Sequence, residues 1–172
     1  IWEKAVGIHN GHDDMGLQAM RGGGPALKLP ATIYPGSLGG VISPMSTDGK
    51  TVFVPVINAP LQLGSQTEKS EPGPYAGEIV ALDVATGATK WKREVPSPPY
   101  GYTTVANDVV FATTSEGTIV AYDAKSGSEL WVESLPAGTN AGVAVAGDTL
   151  IAPAGLPSAE GQVPTMVAYR LG

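Results

Sequence analysis

The residues of this 172-residue chain that could do chemistry are few, and the densest group stands near the start. The stretch HNGHDDMG, residues 9–16, holds both histidines of the chain beside two consecutive carboxylates. His9, His12, Asp13 and Asp14 are therefore candidate ligands for a divalent metal, because imidazole nitrogen and carboxylate oxygen both coordinate one, and the same groups can pass a proton. The competing reading is a solvated turn. Asn-Gly and Asp-Asp are turn residues, and the His9-x-x-His12 spacing is supported by no helical pattern.

Two glycine-rich stretches follow. Residues 21–25, RGGGP, lack the Lys-Ser/Thr of a phosphate-binding loop and the G-x-G-x-x-G spacing, and read as a flexible loop. YPGSLGGVISP, residues 34–44, places Tyr34, Ser37, Gly39 and Gly40 at the entry to an innermost strand. Glycine there allows backbone to approach backbone or a ligand, so these four are candidates for a ligand face beside a central channel. No G-x-S-x-G elbow is present, Ser37 and Ser43 have no placed histidine, and no residue is assigned a catalytic role. The absence of cysteine removes disulfides, thiolate metal sites and thiol nucleophiles. A net charge of −6 with no compensating Lys/Arg stripe opposes nucleic-acid binding, and no run of eighteen apolar residues offers a transmembrane segment.

The elements that must position these residues repeat. GEIVALDVATGATKW, residues 77–91, returns as GTIVAYDAKSGSELW, residues 117–131, with identity at Gly77/Gly117, Ile79/Ile119, Val80/Val120, Ala81/Ala121, Asp83/Asp123, Gly87/Gly127 and Trp91/Trp131. At the same offset VANDVVFAT, residues 105–113, falls on VAGDTLIAP, residues 145–153. Each unit of about forty residues predicts four short strands joined by tight turns, and 23 glycines with 15 prolines suit such a turn-rich chain. Within IVALD, Ile79, Ala81 and Asp83 face one side and Val80, Leu82 and Val84 the other. Both sides are mostly apolar, as a sheet stacked between two others requires. Asp83 and Asp123 open turns in which a carboxylate can accept backbone N–H groups, and Gly87 and Gly127 supply the left-handed conformation.

The pattern Ala-x-Asp-x-x-Thr-Gly-x-x-x-Trp is similar to the tryptophan-docking motif of the pyrroloquinoline quinone (PQQ)-like repeat propellers, a family of quinoprotein alcohol dehydrogenases and non-enzymatic relatives. Ala81, Asp83, Thr86, Gly87 and Trp91 match it once; Ala121, Asp123, Gly127 and Trp131 match it again, with Ser126 for Thr. Ala168 keeps the first position of a last copy in which Arg170 replaces the Asp. The resemblance implies an all-β β-propeller of four-stranded antiparallel blades. Residues 1–7 are expected as the outer strand of a split or preceding blade, 33–95 as a blade with a long insertion, 100–135 as a second, and 139–172 as a third lacking its outer strand. Three blades are too few for a ring of ordinary size. The remaining blades of a six- to eight-bladed ring are expected from a missing N-terminal part, the preferred reading, or from a second copy.

Strand order within a blade sends the insertions 8–32 and 58–76, and the shorter 154–164, to one face, where a propeller builds its binding site. The resemblance implies an extracytoplasmic, non-catalytic binding or scaffold module taking a protein or small-molecule ligand over that face. The alternative it implies is a portion of a PQQ-dependent quinoprotein alcohol dehydrogenase, with PQQ and Ca²⁺ as cofactors and an Asp base. Quinoproteins of that kind set an adjacent Cys pair and a stacking Trp against PQQ. This chain has no Cys, and Trp2, Trp91 and Trp131 all fall on fourth strands.

Overall fold

In the computed structural model, which describes residues 1–15, 28–64 and 77–170, the β-branched and aromatic runs of the repeat are strands. In chain order they are β1 Ala31–Ile33, β2 Ser46–Thr47, β3 Thr51–Ile57, β4 Leu61–Leu63, β5 Gly77–Asp83, β6 Thr89–Val95, β7 Thr104–Ala106, β8 Val109–Thr113, β9 Thr118–Asp123, β10 Glu129–Ser134, β11 Ala144–Ala146, β12 Thr149–Ala154 and β13 Thr165–Arg170. They form a four-stranded sheet β2-β3-β5-β6, a second β7-β8-β9-β10, a three-stranded sheet β11-β12-β13, and a small pair β1-β4. Every ladder is antiparallel. The fold is all-β, an open partial propeller of three blades.

Register follows from the turns. Asn107 and Asp108 both take positive φ, 51° and 62°, the mirror-image turn whose twist suits a two-residue hairpin between β7 and β8. With that turn fixed, Phe111 stands opposite Ala121, as Phe53 stands opposite Ala81 in the first sheet. Alternation then sorts the core into two inter-sheet layers. Phe53, Ile79 and Ala81 face the second sheet and pack with Val110, Ala112, Val120 and Tyr122. Phe111 and Ile119 face the third sheet and pack with Val143, Leu150 and Ala152.

The repeated turn works as its residue types suggest. Asp83 Oδ1 accepts the N–H groups of Ala85 and Thr86 and the Thr86 hydroxyl, at 3.1, 3.0 and 2.9 Å. Asp123 does the same with Lys125 and Ser126. These donors, the side-chain hydroxyl first, hold both carboxyls below the usual carboxylate range. Each turn closes on a glycine with positive φ, 71° at Gly87 and 67° at Gly127. Trp91 of the first sheet lies flat on Gly127 and donates its indole N–H to Ala124 O at 2.9 Å. Trp2 lies on Gly87 and donates to Val84 O at the same 2.9 Å.

The innermost strands β7 and β11 are three residues long. Their preceding residues are instead held by side chains: Thr103 Oγ1 donates to Phe53 O, and Thr104 Oγ1 donates to Val143 O, each at 2.8 Å. Residues 1–7, expected as an outer strand, form no ladder with any described strand. A strand needs a neighbour to pair with, and no described strand lies alongside them.

Candidate functional site

Two insertions meet on one face. The first rejoins the framework through β1 and the second leaves it through β4, and these pair, Ala31 opposite Leu63 and Ile33 opposite Leu61. Ile33 and Leu61 are buried, so three residues from each insertion form a small hydrophobic anchor. Residues 16–27, which include the glycine run 21–25, and residues 65–76 lie outside the described residues.

The HNGH stretch reaches this face by being held along its backbone. Buried Glu78 accepts the Gly7 N–H at 3.0 Å and faces Lys92 Nζ at 3.1 Å, and buried Asn58 accepts the Ile8 N–H through Oδ1 at 3.0 Å. Asn10 clasps the first insertion's return: its Nδ2 donates to Thr32 O at 2.7 Å and its Oδ1 accepts the Tyr34 N–H at 3.0 Å. His9 closes the segment on itself, with Nε2 against Val6 O at 2.8 Å and Nδ1 against the Asp13 carboxylate. Both ring nitrogens thus face acceptors, which suits the imidazolium form. The Asp13 contact, more than the Val6 carbonyl, raises the His9 pKa against partial burial, and His9 in turn lowers that of Asp13.

Of the four residues proposed as metal ligands, the structure brings His9 and Asp13 together. His12 contributes its backbone carbonyl to Met15 N–H at 3.0 Å, and Asp14 is exposed. Among the described residues no group of three or more His, Asp or Glu side chains is placed to hold a metal. A metal at His9 would have to displace the Asp13 carboxylate or the Val6 carbonyl.

The glycines of the 34–44 stretch serve backbone contact. Gly36 N–H donates to Ala59 O at 2.8 Å, and Gly40 exchanges two bonds with Ile57, at 2.7 and 3.0 Å. A Cβ on Gly39 would stand 2.6 Å from Ala59 O. Tyr34 and Ser37 are half-buried beside this seam. Tyr100 locks it from the second sheet: its hydroxyl donates to Leu38 O at 3.2 Å, its carbonyl accepts the Ser43 hydroxyl at 3.0 Å, and burial raises the phenol pKa. On this stiffened loop Leu38, Val41, Ile42 and Met45 stand exposed, between 43% and 55%. Isolated exposed apolar residues need no explanation, but four within eight positions of one braced loop form a surface that a partner could cover.

Asn10, Asn58, Glu78 and Tyr100 were not singled out by the sequence reading. Glu78 had a signal, since a carboxylate in the apolar run GEIVALD stands where its repeat partner has Thr118. The other three had none.

A family model described as outer membrane protein assembly factor BamB matches residues 21–168. Among solved structures, a quinohemoprotein alcohol dehydrogenase from Comamonas testosteroni is 26% identical, covering 74% of this chain and 24% of its own, with a TM-score of 0.58. A europium-containing methanol dehydrogenase is 20% identical over 73% of this chain and 26% of its own, also with a TM-score of 0.58. BamB from Moraxella catarrhalis is 20% identical over 78% of this chain and 47% of its own, with a TM-score of 0.44. The chain thus spans about a quarter of the length of the two dehydrogenases. No curated protein matches it.

Proposed function

The chain belongs to the PQQ-like propeller family described as outer membrane protein assembly factor BamB, and from that membership we propose that it is a non-catalytic, extracytoplasmic platform that binds a protein partner over its loop face. The observation that carries this reading is the exposed apolar row Leu38, Val41, Ile42 and Met45 on a loop braced by Gly36, Gly40 and Tyr100. A rigid apolar surface loses little freedom on binding and gains from being covered. Asn10, Asn58 and Glu78 each hold a chain segment by a side-chain hydrogen bond. The family's description supports an envelope location and a protein partner of envelope assembly.

Photo-crosslinking tests this in the source cell. A crosslinking side chain at position 38, 42 or 45 is expected to give one envelope protein as its major adduct, while position 163, exposed elsewhere, gives none. Adducts spread equally over all four positions, or none from the loop, would sink the proposal.

The 26% identity to a quinohemoprotein alcohol dehydrogenase keeps the enzymatic reading in view. The residues described do not fit PQQ. PQQ carries three carboxylates, and the cavity lined by Trp131 and Tyr169 offers one cation, Arg170, which already faces Asp148 at 3.5 Å, beside a second carboxylate, Glu133. No step through the cofactor is derived. Adding PQQ and Ca²⁺ to the protein is expected to leave the quinone spectrum unchanged and to support no alcohol-dependent dye reduction; dye reduction would favour the dehydrogenase.

A further inference from the structure

The sequence holds asparagine at 10, 58, 107 and 140, and Asn10 alone is followed by glycine. Asparagine is thermolabile because the next backbone nitrogen can displace its side-chain amide, and glycine, with no Cβ, hinders that attack least. In the fold this pair is open to the reaction. Asn10 and Gly11 are both exposed, a Cβ on Gly11 would meet nothing within 4 Å, and the Gly11 N–H has no acceptor among the described residues. The attacking nitrogen is neither buried nor engaged.

The same side chain is a clasp whose two ends have different duties. Nδ2 donates to Thr32 O at 2.7 Å, and Oδ1 accepts the Tyr34 N–H at 3.0 Å. An amide supplies a donor and an acceptor, whereas a carboxylate is an acceptor at both ends. After hydrolysis of the amide an anionic oxygen would face the Thr32 carbonyl, acceptor against acceptor. Thr32 is the middle residue of β1 and stands opposite Gln62 of β4. Whatever displaces it loosens the strand pair through which both insertions join the framework.

We propose that Asn10-Gly11 is a site of spontaneous deamidation whose product releases β1, so that the loop face loosens irreversibly with the age of the molecule. The Gly11 nitrogen, its proton taken by hydroxide, bonds to Asn10 Cγ, and Nδ2 leaves as ammonia to give a succinimide. Water then adds to either carbonyl of that ring and breaks one of its C–N bonds, leaving aspartate or isoaspartate. Water enters and ammonia departs, with no change of oxidation state. Both products carry a new negative charge at the clasp. The proposal holds whether or not a partner covers the face.

Ageing the 172-residue protein in mildly alkaline buffer is expected to add the mass of one deamidation, mapped by peptide mass spectrometry to Asn10 before the exposed Asn107 and Asn140 react. Asn10 left intact while either of those reacts would overturn the site, as would no reaction in the time that the urea-unfolded chain converts. Asn10→Asp makes the product directly. Its β1 and β4 amides should exchange severalfold faster than those of the unaged protein at neutral pH, and regain protection in acid, where the protonated carboxyl again donates to Thr32 O. Asn10→Leu, which loses the clasp without gaining charge, should loosen the pair with no such recovery. Exchange in Asn10→Asp equal to that of the unaged protein, or loosened alike at every pH, would overturn the release. None of these outcomes bears on the crosslinks expected from positions 38, 42 and 45, whose loss would remove the partner reading and leave this one.

Discussion

Gly127 has two reasons to be glycine and Gly147 has one. Both take positive φ, 67° and 61°, but a Cβ at 127 would stand 2.6 Å from the Trp91 ring, while at 147 it meets nothing within 4 Å. Gly147→Ala is expected to cost about 1–2 kcal/mol from backbone conformation, and Gly127→Ala a further roughly 1–3 kcal/mol from displacing the indole. Denaturant titration should separate them, and equal costs would mean the indole seat is slack. At the same scale, His9 and Asp13 form a latch with a defined pH window. His9 is raised above 6.5, so its contribution is complete below that value and is lost as pH rises through the folded pKa. Asp13 is lowered below 3.8, so its contribution holds above that value and is lost as pH falls through the folded pKa. The latch is therefore strongest between about pH 4 and 6.5. Asp13→Asn removes the main cause of the raised value, so the imidazole resonances of His9 should titrate at lower pH; an unchanged midpoint would show that the Val6 carbonyl governs instead.

Among the elements, β13 is an exposed edge strand, as β10 is. It pairs on one side with β12, and four of its six residues are exposed, whereas β5 and β9 lie between two neighbours with nearly every residue buried. Hydrogen exchange should be slowest in β5 and β9 and faster in β13, because local opening follows the buried contacts that must be broken. Protection of β13 equal to that of β9 would contradict this order. The difference between these elements also marks what the sequence could tell. Strands β3, β5, β8 and β9 were legible because alternation, an Asp three residues before Thr or Ser, and a closing Gly are all local signals. The β1-β4 pair was not, since three-residue strands carry no period and their partners lie about thirty positions apart. The anchors at Asn58 and Glu78 escaped for the same reason: they bond Ile8 and Gly7 across 50 and 71 positions, and a lone polar residue beside an apolar run announces no partner.

The described sheets form a stack in which the second sheet is half of two cores. Trp91 sits in a complete core, 6% exposed between Phe53 and Tyr122, while Trp131 faces a cavity of about 480 Å³ lined with Tyr169, Leu150 and Val145. Trp91→Ala is expected to cost about 3–5 kcal/mol, as truncation of a packed aromatic does, and Trp131→Ala distinctly less. Paired thermal unfolding curves measure this directly, and a larger loss at 131 would mean that the second inter-sheet layer, not the first, holds the stack. The seat of Trp2 on Gly87 has one more consequence. Each tryptophan belongs to one repeat and its glycine seat to the next, so lock and key are out of phase with the sheets themselves. A gene encoding such a chain can gain or lose whole repeats of about forty residues, starting at any point in the unit, and every internal key still finds its lock. Duplication need not respect the boundaries of a blade to yield a longer arc that fits together.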